Sequence, residues 1–208
     1  MPTHFSKKDL DIFKINGFAE RMAAFKEKIR PKLIDLGEEL KELLKSEMDF
    51  DFYPHTAKHA RRKVNPPDET WVALGPEKRG YKAYVWFGLC VGKDGASTRV
   101  VMKDESSMRV DLGKNLAHNL DYFIKEKSKL KGLHNYLKRD EAFKAQAVED
   151  LAEFLKESSH RLKNLKSAVF DAGLSLDPLS KNLAKDAVKN FSKLQGLFLC
   201  GLQKGVRL

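Results

Sequence analysis

Two histidines four residues apart, His55 and His59, lead into Arg61, Arg62 and Lys63 in the stretch PHTAKHARRKVNPPDETWVALGPEKRGYK. On a helix, that spacing puts both imidazoles on one face. One chemistry for such a pair is metal ligation, as in the H-E-x-x-H pattern. Here Thr56 stands where that pattern carries its glutamate, so the hydrolytic base is missing. A closed site needs three or four ligands, and the rest would have to come from Asp49, Asp51 or farther away. No metal and no cofactor are expected. The other chemistry is anion recognition. Arginine forks take phosphate or carboxylate oxygens in bidentate fashion. Lys78, Arg79 and Lys82 flank Gly80, where a glycine lets the backbone approach a ligand or adopt positive φ. A groove made by the 55–62 segment and the 78–82 turn would carry His55, His59, Arg61, Arg62, Asn65, Trp71, Arg79, Gly80, Tyr81 and Lys82.

The same cations also fit a solvated basic face, with Arg79 paired to Asp68 or Glu77. Tyr53, Trp71, Tyr81, Tyr84 and Trp86 are interleaved with them. Bases stack on aromatic faces, and so does arginine. Trp71 and Trp86 lie in apolar runs, however, where core packing is the usual fate. A second basic feature is Lys181, Lys185, Lys189 and Lys193, each four apart. They form a ridge on a helix with an apolar underside, suited either to solubility or to tracking a phosphate backbone.

Composition bounds the rest. The chain has 208 residues, 42% hydrophobic and 33% charged, with a net charge of +10. Residues 54–82 alone carry a net +4, which makes them denser in positive charge than the chain average. Anionic partners are favoured, either nucleic acid or a phosphorylated metabolite. The start, MPTHFSKKDLDIFK, lacks an apolar h-region, so no secretory leader is expected. No apolar run approaches the roughly 20 residues that span a bilayer. Cys90 and Cys200 each lie in an apolar run and read as buried thiols of a cytoplasmic protein. There is no phosphate-binding G-x-x-x-x-G-K-[ST] loop, dinucleotide G-x-G-x-x-G, G-x-S-x-G elbow or C-x-x-C pair.

The elements that must position the groove follow from periodicity. Ser6 and Asp9 cap a short helix over KKDLDIFK, which Gly17 ends. Phe18, Met22, Phe25, Ile29, Leu33, Leu36, Leu40 and Leu43 form one stripe on a long helix that Pro31 kinks or divides. HTAKHARRK reads as one or two helical turns ended by Pro66, and NPPD as a turn. ETWVALG, KAYVWFGLCVG and STRVVMKD form an antiparallel meander, with GKDG as a hairpin turn. LGKNLAHNLDYFIKEKSKL and EAFKAQAVEDLAEFLKESSHRLKNL read as helices, and SAVFDAGLSLD as a strand. LSKNLAKDAVKNFSKL is an amphipathic helix, and GLFLCGLQKG a buried closing strand. The expected architecture is one α+β domain over 1–208, a mostly antiparallel sheet of about five strands with helices on one face. Its parts are N-terminal helices over 1–48, the signature and meander over 49–105, and a helix-rich half over 106–208.

FYPHTAKHARRKVNPPDETWVALGPEKRGYK resembles the signature of the YktB-like proteins, a bacterial family of unknown function. FKINGFAERMAAFKEKIRPKLIDLGEEL resembles that family's first helices, and LFLCGLQ its C-terminal strand. The resemblance covers roughly the first 90 residues, and the chain departs from the pattern after Tyr84. It implies an α+β fold and draws attention to His55, His59, Arg61, Arg62, Asn65, Pro66, Pro67, Trp71, Arg79, Gly80 and Tyr81. It implies no catalytic residue. The expectation is a binding protein for an anionic ligand. The alternatives are a phosphoryl- or acyl-transfer enzyme using His55 or His59 with the arginines, and a protein–protein docking role for the long N-terminal helix.

Overall fold

The computed structural model describes residues 3–60 and 62–208. Seven antiparallel strands form one sheet: β1 (Tyr53–Thr56), β2 (Glu69–Gly75), β3 (Val85–Gly92), β4 (Gly95–Met102), β5 (Leu133–Arg139), β6 (Ala145–Ala147) and β7 (Phe170–Leu176), in the order β1-β2-β3-β4-β7-β5-β6. The expected α+β class holds. The meander is β2–β3–β4, and Gly92 pairs with Gly95 across a two-residue turn where Gly95 takes φ +102°. Gly95 follows the turn residues Lys93 and Asp94, and glycine adopts this positive φ without a Cβ penalty.

The helices are α1 (Lys7–Asp11), α2 (Phe18–Ala24), α3 (Arg30–Met48), α4 (Arg109–His118), α5 (Leu120–Lys125), α6 (Leu151–Asn164) and α7 (Leu183–Leu202). They pack on one face of the sheet. Strand alternation sends Val72, Leu74, Val85, Phe87, Leu89, Val100 and Met102 into the same core as the helical residues Leu33, Leu36, Leu40, Phe191 and Phe198. Burying each of these side chains stabilises by about 1.5–3 kcal/mol. Ser6 caps α1 through a reciprocal capping box with Asp9, as its spacing predicts. Pro31 divides the long helical run: a π turn over Phe25–Ile29 precedes it, and the Arg30 N–H reaches back five residues to the Phe25 carbonyl. No helix among the described residues is long and apolar enough to cross a membrane.

Four expectations need correction. The described residues of HTAKHARRK form no helix: Tyr53–Thr56 is a strand, paired His55 to Ala73, and His59 sits at φ +50°, outside the helical region. The closing strand is absent: GLFLC lies in α7, which runs to Leu202. Its glycines are contact points rather than strand boundaries, since a Cβ on Gly201 would lie 2.8 Å from Val85 Cβ and one on Gly196 3.2 Å from Phe123. The helix expected over 141–165 begins only at Leu151, capped by the Asp150 side chain, and β5 and β6 occupy the segment before it. The preceding helix breaks at Asn119, whose amide donates to the Asn115 and Val206 carbonyls. Three strands gained and one lost turn five into seven.

The α7–sheet contact sets a test. Gly201→Ala forces a methyl against Val85 and Met102, and urea denaturation should show a loss of about 2 kcal/mol. A neutral result would mean that α7 does not seat this closely.

Candidate functional site

The second face of the sheet carries its own smaller cluster of Ala73, Trp86 and Val101, with Trp71 and Tyr81 packed against it. The signature stretch builds the outer part of this face. β1 pairs with β2, and the ladder continues one step through the Ala57 N–H to the Trp71 carbonyl. The chain then turns at His59. On the far side, Gly80 takes φ +68° and starts a 3-10 turn, Tyr81–Ala83, that lays Tyr81 over the face. The NPPD turn is anchored from beneath by Arg21, only 4% exposed, which donates to the Pro67 carbonyl and pairs with Asp68 at 3.4 Å.

The result is a hollow of about 570 Å³. Its aromatic wall is made of Trp71, Tyr81 and the two imidazoles. The His55 ring stacks on Tyr81 (centroids 5.0 Å apart, planes at 20°), and His59 meets Trp71 edge-on at 5.3 Å. Trp71 Nε1 donates to the Tyr81 hydroxyl at 3.4 Å. Its cations are Lys58, Arg62 and Lys82. Among the described residues none of the three has a carboxylate within ion-pair distance; Arg62 donates to the Asn65 carbonyl at 3.2 Å.

Six of the expected residues therefore meet in one place: His55, His59, Arg62, Trp71, Tyr81 and Lys82. Asn65 and Gly80 act behind them, through a carbonyl and a backbone turn. Arg79 is exposed and does not line the hollow. Asp68 pairs with Arg21 and Lys93 rather than with Arg79. Arg61 lies outside the described residues. Lys58 is a lining residue that the sequence reading missed.

The imidazoles differ in character. His55 Nε2 lies 3.0 Å from the Glu77 carbonyl, which only accepts, so this nitrogen carries the proton. His59 Nε2 lies 3.0 Å from Thr70 Oγ1. Burial, then the charges of Arg62 and Arg30, push the His59 imidazole down to about 4. It is neutral at pH 7 and cannot serve there as a cationic donor.

Deeper on the same face is an ion network that sequence reading did not identify. Arg99, 2% exposed, pairs in bidentate fashion with Glu69 (3.2 and 2.7 Å), donates to Ser97 Oγ at 2.8 Å, and lies 3.7 Å from Asp171. The Tyr136 ring covers its guanidinium at 3.7 Å. Arg139 joins Glu69 (2.6 Å) to Asp94 (2.8 Å). Burial pushes the Glu69 carboxyl up, but Arg99 and Arg139 outweigh it and leave the group below its ordinary value. Asp171 has only the more distant Arg99 contact, and burial leaves its carboxyl raised. The available signal was a charged residue inside the apolar strand STRVVM, and another between Phe170 and Ala172. Cys90 and Cys200 are free and buried, as their apolar surroundings predict, and burial pushes both thiols up to about 12.

Two tests follow. In the unfolded chain His59 takes a proton near its ordinary 6.5, whereas in the folded chain it resists until about 4. The unfolded state thus binds more protons between those values, so the stability present above pH 6.5 is lost as pH falls toward 4. Denaturation measured across that window should show a shallower slope in His59→Asn, since asparagine tolerates the left-handed backbone; an unchanged slope would refute the assignment. Arg99→Met strands Asp171 and leaves Glu69 with Arg139 alone, and should cost about 3–5 kcal/mol in the same assay at pH 7.

Comparison with known proteins adds the family. Residues 5–197 match a family described as a domain of unknown function, DUF1054. A UPF0637 protein of Staphylococcus aureus (strain MSSA476) is 33% identical over 183 residues, covering 88% of each chain. A UPF0637 protein of Staphylococcus haemolyticus is 35% identical over 196 residues, again covering 88% of each chain. One from Bacillus cereus (strain B4264) is 47% identical over 98 residues, 41% of this chain and 47% of its own. The family match runs well past Tyr84, so the resemblance extends beyond the first 90 residues. The chain belongs to the DUF1054 family of UPF0637 proteins, and its YktB-like signature stretch is consistent with that membership.

Proposed function

We propose that the protein binds a phosphorylated small molecule with a planar ring in the hollow between β1 and the Tyr81 turn. The observation that carries this reading is the meeting of an aromatic wall with three cations that lack carboxylate partners among the described residues, in about 570 Å³. That volume is typical of a small-ligand pocket. The stacked Tyr81 and His55 offer a flat surface, and Lys58, Arg62 and Lys82 supply charge for phosphate oxygens. Binding is favoured over catalysis because both imidazoles are already engaged, His55 with a backbone carbonyl and His59 in a neutral, half-buried state.

A nucleic-acid strand is the second reading of the same charge. Lys185, Lys189 and Lys193 of the lysine ridge are exposed on α7, with Lys181 in the turn just before it, but α7 packs on the face of the sheet opposite the hollow. One continuous backbone track along both features would have to round the sheet edge. The compact hollow therefore supports a small ligand better. Two buried, unpaired cysteines fit action in the reducing cytoplasm.

Thermal unfolding in the presence of adenosine monophosphate tests the proposal. Binding should raise the melting temperature logarithmically with ligand concentration, by the equivalent of about 2.7 kcal/mol at 100 times the dissociation constant. Lys82→Ala and Arg62→Ala should each weaken binding about tenfold while leaving the unliganded melting temperature unchanged. Binding only to oligonucleotides, with steep salt dependence, would support the strand reading instead.

A further inference from the structure

Two polar atoms on the second face of the sheet are closed to solvent and have no partner among the described residues: Trp86 Nε1 and Asp171 Oδ1. Trp86 is 2% exposed and Asp171 9%. Both residues line one recess of about 20 Å³. Buried polar groups are ordinarily hydrogen-bonded, and exceptions point to an occupant.

The recess specifies that occupant. Its volume admits one water-sized group. Two of the residues that line it each carry one unused polar atom, the Trp86 Nε1–H donor and the Asp171 Oδ1 acceptor. Its charged walls are Arg99 and Lys103 against Glu69 and Asp171, balanced when both carboxylates are ionised, so a net charge on the occupant gains nothing. A neutral group of one heavy atom that both accepts and donates is a hydroxyl. It also satisfies Asp171 if the carboxyl is protonated, because its oxygen can accept from both sides. Trp71 lines the recess and the outer hollow alike, so the two share a wall.

We propose that this recess is a subsite for a single hydroxyl, held between Trp86 Nε1–H and Asp171, supplied either by a bound water or by a hydroxylated ligand seated in the outer hollow. The second source rests on the function proposed above; the first does not.

Nitrogen–proton NMR of the two tryptophan side chains tests it. Trp86→Phe assigns the Trp86 Nε1–H signal by its loss. If water is the source, that signal exchanges magnetisation with a long-lived water in the free protein. If the ligand is the source, the signal moves on adding adenosine monophosphate and not on adding its 2′,3′-dideoxy analogue, which should bind about tenfold more weakly. In either case Asp171→Asn should displace the Trp86 signal under the condition in which the bridge exists. Failure of both nucleotides to bind, with the water contact present, defeats the outer-hollow reading and leaves the subsite standing. A Trp86 signal with no water contact that neither nucleotide moves, or one indifferent to Asp171→Asn, would overturn the proposal.

Discussion

A buried arginine must be surrounded, and the second face of this sheet is organised by that requirement. Arg99 stands in the middle of β4, where an apolar residue would be ordinary. Isolated in the interior, its charge would be strongly unfavourable. Glu69 at the start of β2, Asp171 on β7 and Ser97 on its own strand meet the guanidinium, and Tyr136 on β5 covers it. Arg139, at the end of β5, ties the same glutamate to Asp94 in the β3–β4 turn. One cation thus links strands that are distant in sequence. Room for it comes from Gly173, its cross-strand partner, where a Cβ would lie 2.8 Å from both Arg99 Cα and Cγ.

This arrangement explains how a sheet can dispense with helices on one side. The helical face is closed by a continuous apolar core, whereas the other is closed by its own long side chains. Trp86 lies over Gly88, and Trp71 stacks on Trp86 at 6.2 Å. Toward β1 the large residues give out, and Ala73 and Gly75 are what β2 presents there beside His55 and Tyr81. The hollow opens where that cover ends. Its geometry therefore depends on the same strand register that assembles the ion network.

Much of this was legible in the sequence wherever a local signal and the tertiary contacts agreed. The β2 boundaries, the GKDG turn, the Ser6 cap and the stripe of α3 follow from alternation, glycine placement and spacing of three or four. The errors arose where tertiary contacts decided. HTAKHARRK has helical composition, but pairing to β2 makes its start a strand. Gly196 and Gly201 resemble strand boundaries, yet they are the positions at which α7 touches other elements. The segment 133–147 alternates too irregularly to read, since β5 shifts register between Asn135 and Arg139, while Asp150 followed by Glu153 was a readable helix start that a longer apolar pattern obscured. The candidate residues were visible as types, but two backbone features brought six of them together, the left-handed turns at His59 and Gly80. Nothing local announces a turn at a histidine.

The placement of Trp71 and Trp86 has an optical consequence. They are the only two indoles in the chain, and both belong to the face without helices. Ultraviolet emission excited at the red edge of protein absorption therefore originates from that side alone. The helical layer could loosen with little change in emission colour, whereas a small polar rearrangement around Arg99 would alter it at once. Fluorescence and circular dichroism would then follow different halves of one molecule, and any disagreement between them would measure how tightly the two sides of the sheet are coupled.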